Sequence, residues 1–295
     1  RENKMTISLE NTFLKVSFNE HGGELTSLFN KKNKFEYLWQ ANPKYWGRHA
    51  PVLFPIVGRL KDDKYFYKQQ QYWMTQHGFA RDMDFEIEKK TDQQVTFCLH
   101  ANKVTMQQYP FEFVLRIKYE LMIDTLKVSY LVDNPSIKQL LFSVGGHPAF
   151  NVPLSSTEVF SDYQVAIASN RTHQLIQLQG NYSDSRHPLE FTAKKIDVTR
   201  ETFKNDAVIL KLDEKETMLT LTTSQEKNGI RFNTGNAQYV GVWSKYPENA
   251  PFVCIEPWWG LADDVNASGR LTEKVGLHVL KAHESFNGFY KIQVF

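Results

Sequence analysis

Phe111-Glu112-Phe113-Val114-Leu115-Arg116-Ile117-Lys118-Tyr119-Glu120-Leu121-Met122-Ile123 is the stretch on which the fold turns. Phe111, Phe113, Leu115, Ile117, Tyr119, Leu121 and Ile123 fall on every second position, with Glu112, Arg116, Lys118 and Glu120 between them. A period of two gathers the apolar side chains on one face of an extended strand, whereas a helix would scatter them around its circumference. After Asp124-Thr125 the alternation resumes with Leu126, Val128, Tyr130 and Val132, so residues 111–132 are expected to form one long hairpin.

Shorter runs repeat the pattern over Phe13–Phe18, Tyr65–Met74, Val95–Leu99, Met218–Thr222, Tyr239–Trp243, Phe252–Ile255 and Phe289–Phe295. His21-Gly22-Gly23, Asn134-Pro135, Asn228-Gly229, Thr234-Gly235-Asn236 and Tyr246-Pro247 punctuate them as turns. No apolar helical stripe of three turns occurs, and Asn42–Trp46, Val104–Tyr109 and Arg200–Asn205 are expected to be short helical pieces. Strand follows strand without βαβ alternation, so the chain reads as all-β: a large antiparallel β-sandwich with few short helices. No repeat, low-complexity tract or Gly/Pro/Ser-rich linker divides it, so residues 5–295 are read as a single domain. Asn181–Pro188 is read as a surface loop. Met5 reads as the natural start, with Arg1–Lys4 set aside as an expression remnant.

Thirty-five basic and 33 acidic residues leave a net charge of only +2 across 295 residues. That balance argues against nucleic acid or a membrane surface as a partner. No apolar run reaches the ~20 residues that cross a bilayer, and the amino-terminal segment has no hydrophobic core of a secretory signal. The two cysteines, Cys98 and Cys254, make no disulfide framework, so a cytoplasmic location is expected. Aromatic residues at 14% suit broad sheets and supply flat faces on which sugars stack.

Four segments set titratable groups among aromatics and Gly/Pro at strand ends, where a rigid scaffold presents functional groups. They are Pro51–Arg59, His77–Arg81, Gly145–Pro153 and Cys254–Gly260. His147 follows two glycines and precedes Pro148; taken alone, it also reads as a histidine bonded inside a turn. Glu256 ends an apolar strand before Pro257-Trp258-Trp259, where a carboxylate is costly unless paired or functional. A salt-bridged strand end is its plain alternative. Arg59, His77 and Arg81 read equally well as structural polar contacts, and Trp258 and Trp259 as core.

Together, in type and order, these segments resemble the aldose 1-epimerase (galactose mutarotase) family over nearly the whole chain. The resemblance implies a β-supersandwich and an isomerase of sugar anomers. By that likeness His147 matches the general acid and Glu256 the general base. Arg59 and His77 match sugar-contacting residues, and Asp206 matches a hydroxyl-binding aspartate. Trp258 is expected to stack on the sugar. The sequence departs from typical members at Gly145-Gly146-His147-Pro148 and at His77-Gly78-Phe79-Ala80-Arg81, variants that look like a divergent bacterial branch and a hexose-6-phosphate epimerase branch. Arg81 belongs to the latter motif and is counted among the substrate-binding residues.

Anomer exchange requires proton removal from the anomeric hydroxyl and proton delivery to the ring oxygen. An imidazole with an ordinary pKa of about 6.5 and a desolvated carboxyl can do both. No cofactor and no metal is expected; a zinc site of His77, His147 and Glu256 would lack any His-x-x-x-His spacing. The expected partner is a small-molecule sugar, favoured as an unphosphorylated hexose, with the protein a monomer or homodimer. The alternatives are a hexose-6-phosphate 1-epimerase or a non-catalytic sugar-binding protein on the same fold.

Overall fold

The computed structural model describes residues 7–295. Arg1–Lys4 and Met5 lie outside the described residues. The expected hairpin forms as Val114–Met122 and Thr125–Asp133, paired from Met122 against Thr125 to Val114 against Asp133. Leu115, Ile117, Tyr119 and Leu121 are buried opposite Val132, Tyr130, Val128 and Leu126. Phe111 and Phe113 are buried ahead of the strand, while Ile123 lies exposed in the turn.

The hairpin sits in a nine-stranded antiparallel sheet. Its order is 195–197, 163–168, 218–223, 229–233, 285–294, 125–133, 114–122, 94–100 and 86–90. The strand Ser285–Val294 therefore lies in the middle, between strands made more than 50 and 150 residues earlier. A second antiparallel sheet runs 182–191, 173–179, 208–211, 239–243, 252–259, 144–146 and 52–53, with 149–151 also paired to 252–259. The sheets meet through contacts such as Tyr130 with Trp259 and Phe232 with Phe150. Among the described residues no helix is long and apolar enough to cross a membrane.

Phe252–Trp259 positions the site, because all eight of its residues are buried. Val253, Ile255 and Trp259 join the core between the sheets. Cys254, Glu256 and Trp258 alternate with them and face the other side of the sheet. The apolar run expected to stop at Ile255 thus continues as strand through Glu256 and Pro257.

Other expectations are corrected. Tyr65–Met74 is a tight hairpin, Lys64–Tyr67 with Gln70–Trp73, rather than one strand. Asn42–Trp46 closes a single turn, the N–H groups of Tyr45 and Trp46 both donating to the Asn42 carbonyl. Asn181–Pro188 is not a loop: Tyr182–Phe191 is the edge strand of the second sheet. An edge has one unpaired side, which tolerates both Pro188 and the polar residues that suggested a loop.

One buried ion pair ties the loops around the second sheet together. Lys274 Nζ lies 2.9 Å from Asp263 Oδ1 and donates to the Leu261 carbonyl at 2.8 Å. The other Asp263 oxygen accepts the Lys61 N–H, and the Asp263 carbonyl accepts the Ser183 N–H. Segments near residues 61, 183 and 263 are thereby held to one another.

The loop carrying His77 folds onto Phe54, whose carbonyl accepts the N–H groups of Phe79 and Ala80. Gly78 is the pinch point: its φ is +70°, and a Cβ there would lie 2.2 Å from the Phe54 oxygen. Gly180 has a similar φ of +62° but open space around it. Gly78→Ala is therefore expected to cost more than ~2 kcal/mol, and Gly180→Ala only the left-handed backbone penalty of about 1 kcal/mol. Chemical denaturation of the two variants checks the difference.

Candidate active site

Glu256 faces away from the core opposite Gly241, and Trp258 is opposite Tyr239. The Trp258 ring lies against Gly145 and Gly241, whose missing side chains leave a slot for it: a Cβ at either would come within 2.8 Å of the indole. His147 enters from the chain between Val144–Gly146 and Ala149–Asn151, both of which pair with the Glu256 strand. Its Nε2 stands 3.1 Å from Glu256 Oε2, with His147 7% and Glu256 2% exposed.

Aromatic rings box in the imidazole. Trp46 lies over it with centroids 4.8 Å apart, and His77 and Trp243 meet it edge-on at 5.5 and 5.7 Å. Burial pushes the His147 pKa well below that of a free histidine, with the positive charges of Arg81 and Arg48 adding to it. Burial likewise pushes the Glu256 carboxyl well above its usual range, with the negative charge of Asp206 adding to it. Both shifts favour uncharged partners, and one proton lies between them. A carboxyl O–H donating to Nε2 and an imidazolium N–H donating to a carboxylate differ only in where that proton sits. His147 Nδ1 and Trp258 Nε1 make no hydrogen bond within the protein.

His77 is fixed differently. Its Nδ1 accepts the Gly58 N–H at 3.1 Å, and the His77 backbone N–H donates to the Gly58 carbonyl at 2.8 Å. An accepting Nδ1 leaves the proton on Nε2, so His77 is a neutral donor. Burial and the neighbouring His147, Arg81 and Arg48 hold its pKa well below the usual value.

These groups line a cavity of about 380 Å³, within the range of small-molecule sites. His77, Arg81, His147, Asp206, Glu256 and Trp258 all reach it. Asp206 is one of its lining residues, its Oδ1 accepting the Ala207 N–H, and loss of solvent around the carboxyl pushes its pKa up while that hydrogen bond opposes the shift. Arg59 does not reach the cavity. Its guanidinium is clamped bidentately on Asp63 at 2.7 and 2.8 Å, and Gly58 lines the wall instead. The cavity's guanidinium groups belong to Arg48 and Arg81. Sequence reasoning also passed over Trp46, Gln76, Asn181, Ser183 and Trp243 as lining residues. Trp46-Gly47-Arg48, an aromatic and a cation around a glycine, was the available signal for the first wall.

Among the described residues one group offers metal-ligand atoms close together: His147, Cys254 and Glu256, within 4.8 Å of one another. It differs from the His77, His147 and Glu256 set weighed against the sequence as a zinc alternative, with Cys254 in place of His77. A metal would need the thiolate and carboxylate forms, and burial pushes both the Cys254 thiol and the Glu256 carboxyl up.

The aldose 1-epimerase family profile matches residues 5–274. Plasmid-encoded protein LacX of Lactococcus lactis subsp. lactis is 32% identical over 286 residues, covering 92% of this chain and 93% of that protein. The crystal structure of a galactose mutarotase related enzyme from Lactobacillus acidophilus superimposes with a TM-score of 0.96 at 40% identity, covering 99% of this chain and 97% of the other. A galactose mutarotase-like protein from Lactobacillus casei gives 0.91 at 32% identity, covering 98% and 100%. With the profile spanning most of the sequence and the sandwich shared throughout, this chain belongs to the aldose 1-epimerase family and is an isomerase.

Proposed function

We propose that the enzyme interconverts the α and β anomers of a hexose, with His147 and Glu256 as its acid–base pair. The observation that carries this reading is their 3.1 Å contact in the wall of the cavity. Both reacting oxygens of a cyclic sugar, the anomeric O1 and the ring O5, are bonded to C1. An acid and a base one hydrogen bond apart suit such a pair of targets.

In the ring-opening step Glu256, as carboxylate, takes the proton from the O1 hydroxyl. The electron pair of that O–H bond becomes the second C1–O1 bond, and the C1–O5 pair leaves with O5. O5 is protonated by the His147 imidazolium. The product is an open-chain aldehyde with neutral His147 and protonated Glu256, the same total number of protons as before. Rotation about C1–C2 turns the other face of the carbonyl to O5. Closure returns a proton from Glu256 to O1 and one from O5 to His147, giving the other anomer. Desolvation lowers the proton affinity of His147 and raises that of Glu256, which favours both transfers of the ring-opening step, from His147 to O5 and from O1 to Glu256.

The remaining lining groups fit binding roles. The His77 Nε2–H is a fixed neutral donor and the Asp206 carboxyl an acceptor for hydroxyls. The Trp258 indole offers an apolar face and an unpaired N–H.

Glu256→Gln and His147→Asn should each slow enzyme-dependent anomer exchange by at least ~10²-fold, since each removes one proton carrier. NMR exchange measurements on the soluble variants check this, and near wild-type exchange in either would remove that residue from the mechanism.

Glu256→Gln should also be more stable than the wild type at neutral pH. A carboxyl whose pKa is raised on folding holds its proton more tightly folded than unfolded. Its contribution is fully present below about pH 4.5 and is lost as pH rises through the folded value. Glutamine keeps a donor for His147 and does not titrate, so the stability margin of the variant should widen from pH 4.5 to pH 8. Thermal melts across that range measure it; a margin that shrinks with pH would contradict the raised pKa.

A further inference from the structure

We propose that Trp46 is a positioning residue for anomer exchange: its indole covers one face of the His147 ring, holds that ring to Glu256 and stabilises the imidazolium. The inference rests on the acid–base assignment above and goes beyond it by giving a role to a residue that acts through His147.

The His147 ring lacks the usual polar anchor. A histidine that moves protons is ordinarily oriented by a hydrogen bond to its second ring nitrogen. Here Nδ1 bonds to no other residue, and Nε2 faces Glu256, the other half of the reacting pair. What remains to fix the plane of the ring is packing. Of the three rings around it only Trp46 is near parallel, 4.8 Å away at 30°, an offset stack; His77 and Trp243 stand at 89° and 85°.

Trp46 is pinned more firmly than its loop alone would hold it. Residues 41–47 join no strand, and Asn42, Pro43 and Lys44 are exposed. The indole nevertheless turns inward onto Phe252 at 5.7 Å and Trp243 at 5.9 Å. The Trp46 carbonyl accepts the indole N–H of the buried Trp39 at 2.9 Å, and Trp39 packs on Phe252 in turn. Trp39, Phe252 and Cys254 belong to an apolar cluster apart from the main core, with Trp46 and Trp243 packed against it. It lies on the face of Phe252–Trp259 that carries Glu256. A loop tied down in this way delivers a flat ring to a fixed place.

Ring opening uses imidazolium and carboxylate, while burial favours the neutral forms of both groups. Arg48 and Arg81 set further positive charge against His147. Glu256, at 3.1 Å, works the other way. The negative face of an indole also attracts a cation, most strongly where water is excluded, and has no such hold on a neutral imidazole. Trp46 therefore favours the proton-donating form of His147, and that contribution belongs to kcat. A platform for the sugar would show in KM instead.

The test measures kcat and KM with whichever of glucose, galactose and their 6-phosphates the wild type exchanges fastest, after subtracting the spontaneous rate. Trp46→Leu keeps an apolar cover without a π face. It should lower kcat about tenfold, equivalent to about 1.4 kcal/mol, and leave KM within about twofold of the wild type. Trp46→Phe restores a face and should bring kcat back to within about threefold. If Trp46→Leu does not fold, Trp46→Met provides the same comparison. Unchanged kcat in the leucine variant, a loss confined to KM, or equal kcat losses in the leucine and phenylalanine variants would each overturn the proposal. His147→Asn slowing exchange in the same assay would then leave the acid–base reading standing. Exchange of none of the four sugars by the wild type would overturn that reading and this proposal with it.

Discussion

Phe252–Trp259 has no face turned to solvent, and that constraint organises the molecule. One row of its side chains closes the core between the sheets; on the other, Glu256 and Trp258 line the cavity and Cys254 packs against Trp39, Ala149 and Phe252. A carboxyl in such a strand has lost its water and needs a partner, and His147 is the partner within reach. The strand neighbours adapt to the same demand. Gly241 and Gly145 lack side chains where the Trp258 ring must lie, and Pro148 gives its carbonyl to the Ile255 N–H, fixing the backbone beside His147. The His147–Glu256 pair is therefore held by the packing around it, and its altered proton affinities follow from the place it occupies.

How much of this was legible in the sequence depended on whether one face of an element meets water. Val114–Met122 and Thr125–Asp133 are half-buried, so polarity alternates and residues 111–132 could be read directly. Phe252–Trp259 is buried on both faces, so no alternation marks it, and Glu256-Pro257 looked like a strand end. Tyr182–Phe191 failed in the opposite way. Its exposed edge position removes the need for apolar residues, and its polarity imitates a loop. Local rules broke where function or an edge imposed another requirement. The order of strands within each sheet was never accessible, because period and turn residues say nothing about which distant strands pair.

The cavity shows the same limit. His77, His147 and Glu256 carried local context, a titratable group beside glycine or proline at a strand end, and all three converge. Arg59 carried comparable context but has Asp63 four residues away, and a bidentate partner at that spacing takes it out of the cavity. Arg48 carries no local signature of its own and was placed near the site, with Arg59 and Arg81, only by the family resemblance; it lines the cavity with Arg81, whereas Arg59 does not. Arg48 and Arg81 act electrostatically on His77 and His147, and Asp206 acts on Glu256. The proposed acid–base pair stands on and beside a central strand, whereas the arginines stand on loops.

The central position of Ser285–Val294 bears on how such a chain is made. This strand pairs with 125–133 on one side and 229–233 on the other, so before it is synthesised the nine-stranded sheet exists as two halves with open inner edges. Each edge offers unpaired backbone groups and an apolar face to any other chain nearby. Lys274, which neutralises Asp263 in the floor of the loops, also arrives late. The nascent protein must keep two half-sheets apart from their own kind until the keystone strand emerges. Its vulnerability to aggregation is thus concentrated in the interval between the ribosome's making residue 233 and residue 294, a hazard of topology that the finished fold no longer displays.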